Sequence, residues 1–198
     1  MYSLKIFAGV CSKGSYLSGR RACSLGKPCH LPCIILFLFS ISFSAAAQQE
    51  TNYAVHANII YHFTKYIDWP SYTKSGDFII GIAGESPMYD ELKKSTVNKM
   101  AGNQRIVIKQ LSSADEMASC HILFISEEES GNLKKIIAKT AGLPVLLVSE
   151  SEGQAKKGSC INFSIVSDHL KLEINRSSIE QRGLSIASEL IKLGKVVK

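Results

Sequence analysis

Two histidines six residues apart, in "VHANIIYHF", are the first residues whose types could do chemistry. A neutral imidazole ligates metals and exchanges a proton near neutral pH. On a helix, however, His56 and His62 point about 120° apart around the axis. They do not converge on one ion. His56 falls within an apolar face of Val55, Ile59, Ile60, Phe63, Tyr66 and Ile67, with Asn58 and Lys65 opposite. A histidine so placed is expected to be packed, or to sit at an interface. The run stops at Trp69–Pro70, because the residue before proline is pushed out of the helical region. His56, Phe63 and Trp69 are therefore expected to pack, or to edge a partner surface, rather than to act as reaction machinery.

A second candidate is "GIAGESP", Gly81–Pro87. A turn that follows a strand and opens a helix can cradle a phosphate with its amides. This one has neither the lysine of a P-loop nor the glycine spacing of a dinucleotide fingerprint. In a doubly wound sheet the loop after "CHILFIS" would lie across the crevice. It would bring Glu127, Glu128 and Glu129 toward Glu85. Four carboxylates would repel a phosphate by roughly 1–4 kcal/mol each. The crevice residues Gly84, Glu85, Ser86, Ser126 and Glu127 are thus expected to suit a neutral or cationic small molecule, if they bind one. His121 stands at the opposite end of its strand, and His169 beside a hairpin turn. No Ser–His–Asp or Cys–His set assembles at one edge. No catalytic residue, metal site or cofactor is assigned, and the chain is not expected to be an enzyme.

The first 47 residues differ from the rest. They carry Lys5, Lys13, Arg20, Arg21 and Lys27 and no acid, then the apolar run Leu31–Phe43, then "SAAAQQE". A basic region, a short apolar core and an A-x-A site make a secretory signal peptide. The apolar run is shorter than the roughly 20 residues that span a bilayer. Residues 1–47 are expected to be cleaved, leaving a domain over 48–198 in the periplasm. Of 23 basic residues, 18 then remain against 17 acidic ones. The near-neutral balance removes the argument for nucleic-acid binding. Four of the six cysteines leave with the leader. Cys120 and Cys160 remain in an oxidising compartment. They are read either as one disulfide or as two buried thiols.

The elements that must position these residues follow from periodicity. Asn52 caps a helix over Tyr53–Ile67. Strands are expected over Asp77–Gly84, Arg105–Leu111, Cys120–Ser126 and Pro144–Glu150. Helices are expected over Ser86–Asn98 and Glu127–Gly142, with a helical turn at "SADEMA". "SCINFSIV" and "HLKLEIN" read as an antiparallel hairpin. A closing helix starts near Ser185 and buries Ile186, Leu190, Leu193 and Val197. Continuous apolar strands alternating with helices imply one Rossmann-like three-layer α/β domain. Its sheet is mostly parallel, with a C-terminal hairpin and a closing helix.

In this order and spacing, "NIIYHFTKYIDWP", "FIIGIAGESPMYDEL", "ASCHILFIS", "LPVLLVSE", "INFSIV…LKLEIN" and "GLSIASELIKLGKVV" resemble the YfiR-like family of periplasmic proteins. The resemblance covers Tyr53–Val197. It implies a non-enzymatic regulator that binds the extracytoplasmic region of a membrane signalling protein. That partner is a diguanylate cyclase or a sensor kinase, through which cyclic-di-GMP and biofilm formation are tuned. A secreted small-ligand sensor module is the alternative. A homodimer is left open. Family members carry additional cysteines in redox-sensitive bridges; this chain keeps only Cys120, at a matching position, and Cys160, at a less secure one.

Overall fold

The computed structural model describes residues 52–111, 113–167 and 169–198. The leader and its cleavage site lie outside the described residues. Helix α1 spans Tyr53–Tyr66 and starts where the Asn52 side chain accepts from the Val55 amide. It buries Ala57, Ile60 and Phe63 together with His56. The helix ends one residue before the expected Ile67. There the chain turns extended, and Ile67–Asp68 (β1) pairs antiparallel with Ser185–Ile186.

The remaining strands, except the Ser185–Ile186 strand that pairs with β1, build one sheet. In chain order come β2 (Phe78–Ala83), α2 (Met88–Thr96), β3 (Met100–Ala101), β4 (Gln104–Leu111), α3 (Ala114–Met117) and β5 (Ile122–Ile125). A 3-10 turn over Glu128–Asn132 leads into α4 (Leu133–Lys139), β6 (Leu146–Ser149), β7 (Ile161–Val166) and β8 (His169–Asn175). The chain closes through α5 (Arg176–Glu180), β9 (Ser185–Ile186), α6 (Ser188–Leu193) and β10 (Lys195–Val197). The strand order is β10-β8-β7-β6-β5-β2-β4-β3. Within it, β4-β2-β5-β6-β7 are mutually parallel. The order of these five, numbered as they occur along the chain, is 2-1-3-4-5, a doubly wound arrangement. The expected α/β class and parallel sheet are what the chain adopts. β7 and β8 form the expected antiparallel hairpin over Ile161–Val166 and His169–Asn175.

Burial explains the apolar strands. Every residue of β5 and β6 is buried. At Gly81, in the middle of β2, a Cβ would stand 2.4 Å from a Leu111 methyl and 2.6 Å from the Cys120 sulfur. Only glycine lets the neighbouring side chains close over that strand.

Two expectations fail. The single helix over Glu127–Gly142 is a 3-10 turn followed by a short α4. Gly131 weakens helix propagation there, and the Glu128 side chain is drawn to another loop. The closing helix is likewise not continuous. α6 covers only Ser188–Leu193, with β9 before it and β10 after it. Ile186 and Val197 are strand residues, and Leu193 is 70% exposed. Backbone pairing with β1 and β8 outcompetes a helix interrupted by Gly194.

Candidate functional site

The doubly wound order opens a crevice beyond the carboxyl ends of β2 and β5, where successive crossovers run in opposite directions. Gly84, at φ +79°, turns the chain out of β2. A Cβ there would lie 2.3 Å from Ser126 Oγ and 2.8 Å from Glu129 Cγ, so the two loops meet at a glycine. Two loop amides that could hold an anion are already occupied. The Glu85 amide donates to Glu128 Oε2 at 2.8 Å, and the Glu127 amide donates to Glu150 Oε1 at 3.0 Å. Tyr53, at the start of α1, lies close to Glu150 and Ser86. Burial raises the Glu150 pKa, opposed by its bonds to the Glu127 amide and to Tyr53. Ser86 Oγ accepts from the Met88 amide, which fixes the start of α2.

Thus all five crevice residues expected from sequence gather at one end of the sheet, but they divide. Gly84 and Glu85 line an open cavity of about 610 Å³ together with Gln110, Glu128, Glu129 and Lys135. Ser86 and Glu127 are held in the hydrogen bonds just described. Ser126 is 2% exposed, and its hydroxyl is buried without a partner. A phosphate at these amides would have to displace two carboxylates, each already held at hydrogen-bond distance.

The other end of the sheet holds Trp69 and His121. The Ile79 amide donates to His121 Nδ1 at 3.1 Å, so Nε2 carries the proton and donates to the Thr73 carbonyl at 3.0 Å. Trp69 Nε1 donates to the His121 carbonyl at 3.3 Å. The imidazole stacks on Phe78 at 4.4 Å, and Trp69 meets Phe78 edge-on. Burial lowers the His121 pKa, partly offset by the Thr73 carbonyl. This cluster ties the 3-10 turn Ser71–Thr73 to the sheet. It leaves Tyr72 projecting, 74% exposed.

His56, Phe63 and Trp69 are all buried, at 4%, 0% and 5% exposure. His56 stacks flat on Phe163 with ring centroids 4.4 Å apart, and its Nδ1 has no hydrogen-bond partner. These three side chains support the surface from beneath rather than forming it. His62 is exposed and does not approach His56. Among the described residues no group of three His, Cys, Asp or Glu is arranged to hold a metal.

Cys120 and Cys160 are free and buried, so the disulfide reading gives way to two thiols. They precede β5 and β7, which lie on either side of β6. Strands two apart are separated by about 10 Å, whereas a disulfide needs Cα atoms within about 7 Å. Burial pushes Cys120 up to about 12 and Cys160 up to about 11.

Arg182 was not anticipated. It is 7% exposed and has no carboxylate partner among the described ion pairs. Its Nη1 donates to the Thr140 carbonyl and hydroxyl at 2.9 and 3.0 Å, and its side chain reaches Cys160. Its setting between buried Ile179 and Leu184 was the available signal.

The YfiR/HmsC-like family profile matches residues 53–195, which is most of the chain and all of the sheet except its last residues. The chain belongs to the YfiR/HmsC-like family. A search of curated proteins finds no match. Members of this family are periplasmic regulators rather than catalysts. In this chain two switch-point amides are filled by its own carboxylates, and His56 and His121 pack on Phe163 and Phe78. No helix among the described residues is long and apolar enough to cross a membrane.

Proposed function

We propose that this YfiR/HmsC-like chain is exported to the periplasm and regulates a membrane signalling protein by contact. The partner is the extracytoplasmic region of a diguanylate cyclase, and the output is cyclic-di-GMP. Membership of the family across residues 53–195 carries this reading. The surface we assign to the contact is the turn around Tyr72. It is presented by the Trp69–His121–Phe78 cluster and continued by the exposed side of α1. His56, Phe63 and Trp69 act there as the packed support.

The test is a gene deletion with cyclic-di-GMP measured by mass spectrometry. The level should rise, and it should return to normal with the wild-type gene but not with Tyr72→Ala. An unchanged level in the deletion strain sinks the cyclase assignment.

A second reading is supported by the 610 Å³ crevice and the orphaned Ser126 hydroxyl beside it. In it the domain is a sensor for a small neutral or cationic molecule. A ligand-dependent rise in melting temperature supports that reading.

A further inference from the structure

Strand β4 has one side open for most of its length. β2 pairs with Ile106–Leu111, whereas β3 covers the opposite side only at Gln104 and Arg105. No other described strand neighbours β4. Successive residues of a strand direct their N–H and C=O groups to alternate sides. About three residues between 106 and 111 therefore present unpaired backbone groups outward, a ready template for another strand.

A groove of about 520 Å³ runs beside this edge. Val97, Met100, Ile106 and Ile108 give it an apolar floor, and Val97 and Met100 are 63% and 47% exposed. Lys93 and Lys99 line it, and no carboxylate does. Lys109 stands exposed on the strand itself. The ion pairs among the described residues are Lys74–Asp68, Lys94–Glu91, Arg105–Asp77 and Arg176–Glu180. None of them uses Lys93, Lys99 or Lys109. Lys93 and Lys99 instead lie over the rings of Tyr89 and Tyr61.

Lysines on a sheet edge keep two copies of a chain from pairing there. That accounts for the charge but not for the exposed apolar floor. A floor of this kind is what a guest strand uses, because alternate side chains of an added strand need pockets. The positive rim then selects the guest by charge.

We propose that the open edge of β4 takes up an extended segment of a protein partner in which acidic and apolar residues alternate. The segment adds as a strand beside residues 106–111. Its apolar side chains enter the Val97–Met100 groove, and its carboxylates, on the opposite face of the added strand, meet Lys109. The proposal stands on the sheet edge alone and goes beyond the cyclase assignment. Its failure leaves that assignment untouched, and the reverse holds.

The probe is a fluorescein-labelled peptide, Glu-Val-Glu-Ile-Asp-Val-Glu, added to the purified chain and followed by anisotropy and by amide hydrogen exchange. Two controls are the same peptide N-methylated at alternate amides and a counterpart with lysine in place of each acid. Saturable binding of the acidic peptide is expected, with new exchange protection at residues 106–111. N-methylation on the pairing side should weaken it about tenfold or more, as should K109E. The lysine peptide should not bind. The proposal is overturned by no binding, by equal binding of the N-methylated and unmethylated peptides, by indifference to K109E, or by protection that appears only with protein concentration. Protection by anionic vesicles without protection by the peptide would assign the edge to a membrane instead, and also overturns it.

Discussion

His56 makes stability depend on acidity in a way that can be worked from the structure. Its ring lies flat against Phe163, Tyr53 meets its edge, and its Nδ1 has no partner. Burial lowers its pKa to about 4. In the unfolded chain the same imidazole titrates near 6.5. A base whose pKa falls on folding stays neutral in the native state while the unfolded state takes up the proton. Proton uptake by the unfolded state therefore costs the fold almost nothing above pH 6.5. Stability is then lost progressively as pH falls from about 6.5 to about 4. At about 1.4 kcal/mol per pH unit the loss reaches roughly 3 kcal/mol, a large part of a typical total of about 5–15 kcal/mol. The perturbation is His56→Phe, which keeps an aromatic ring on Phe163 and removes the proton site. Urea unfolding of both proteins at pH 7.5, 6.5, 5.5 and 4.5 isolates the contribution, because His121 and the carboxylates titrate alike in both. The variant should gain about 2.5 kcal/mol on wild type between pH 7.5 and 4.5. A difference that stays flat across that range refutes the reasoning, whatever its size at neutral pH.

Other consequences are as direct. Gly84→Ala places a methyl against Ser126 Oγ at a positive φ and should lower stability by about 1–3 kcal/mol in chemical denaturation. Arg182→Ala strips donors from the Thr140 carbonyl and hydroxyl and should cost about 2–4 kcal/mol; a cost under 0.5 kcal/mol would deny it a structural role. A short iodoacetamide pulse at pH 8 should leave Cys120 and Cys160 unmodified in the native chain and label both in urea, read by mass spectrometry, because both thiols are buried with raised pKa values. His121→Ala removes the acceptor of the Ile79 amide and the donor to Thr73; hydrogen exchange at Ile79 should accelerate while that of buried Leu147 changes little.

The parallel core was legible because its strands are apolar on both faces. "CHILFIS" and "PVLLVSE" have no polar alternation, and only a covered central strand tolerates that. The crevice followed from the same reading, since the doubly wound order places the loops after β2 and β5 together wherever the helices fall. The C-terminal segment was not legible. Ile186, Leu190, Leu193 and Val197 keep helical spacing, yet β1 and β8 offer Ser185–Ile186 and Lys195–Val197 open backbone partners. That competition depends on long-range contacts which local periodicity does not record. The burial of His56, Phe63 and Trp69 is a related case. A face pattern reveals that a side chain is apolar-facing, but not whether its cover is the chain's own sheet or a partner.

The occupied crevice bears on where a protein of this fold can act. In a doubly wound sheet the switch point is the usual place for ligand chemistry, because free loop amides there attract anions. Here Glu128 takes the Glu85 amide and Glu150 takes the Glu127 amide. Both amides are thus satisfied from within, and Tyr53 of α1 stands beside Glu150. This arrangement makes the crevice a joint between α1 and the sheet. Polar backbone or apolar side chains stay uncovered at other places on the surface. Tyr72 and the β4 edge are two such places, and Gln104 links them: its amide donates to the Thr73 carbonyl at 3.0 Å from the first residue of β4. A strand added at the edge would therefore press on the same short segment that holds the Tyr72 turn. If both surfaces serve one partner, Gln104→Ala should weaken the two contacts together while leaving the fold's stability within about 1 kcal/mol. Loss of one contact with the other intact would separate them into independent surfaces.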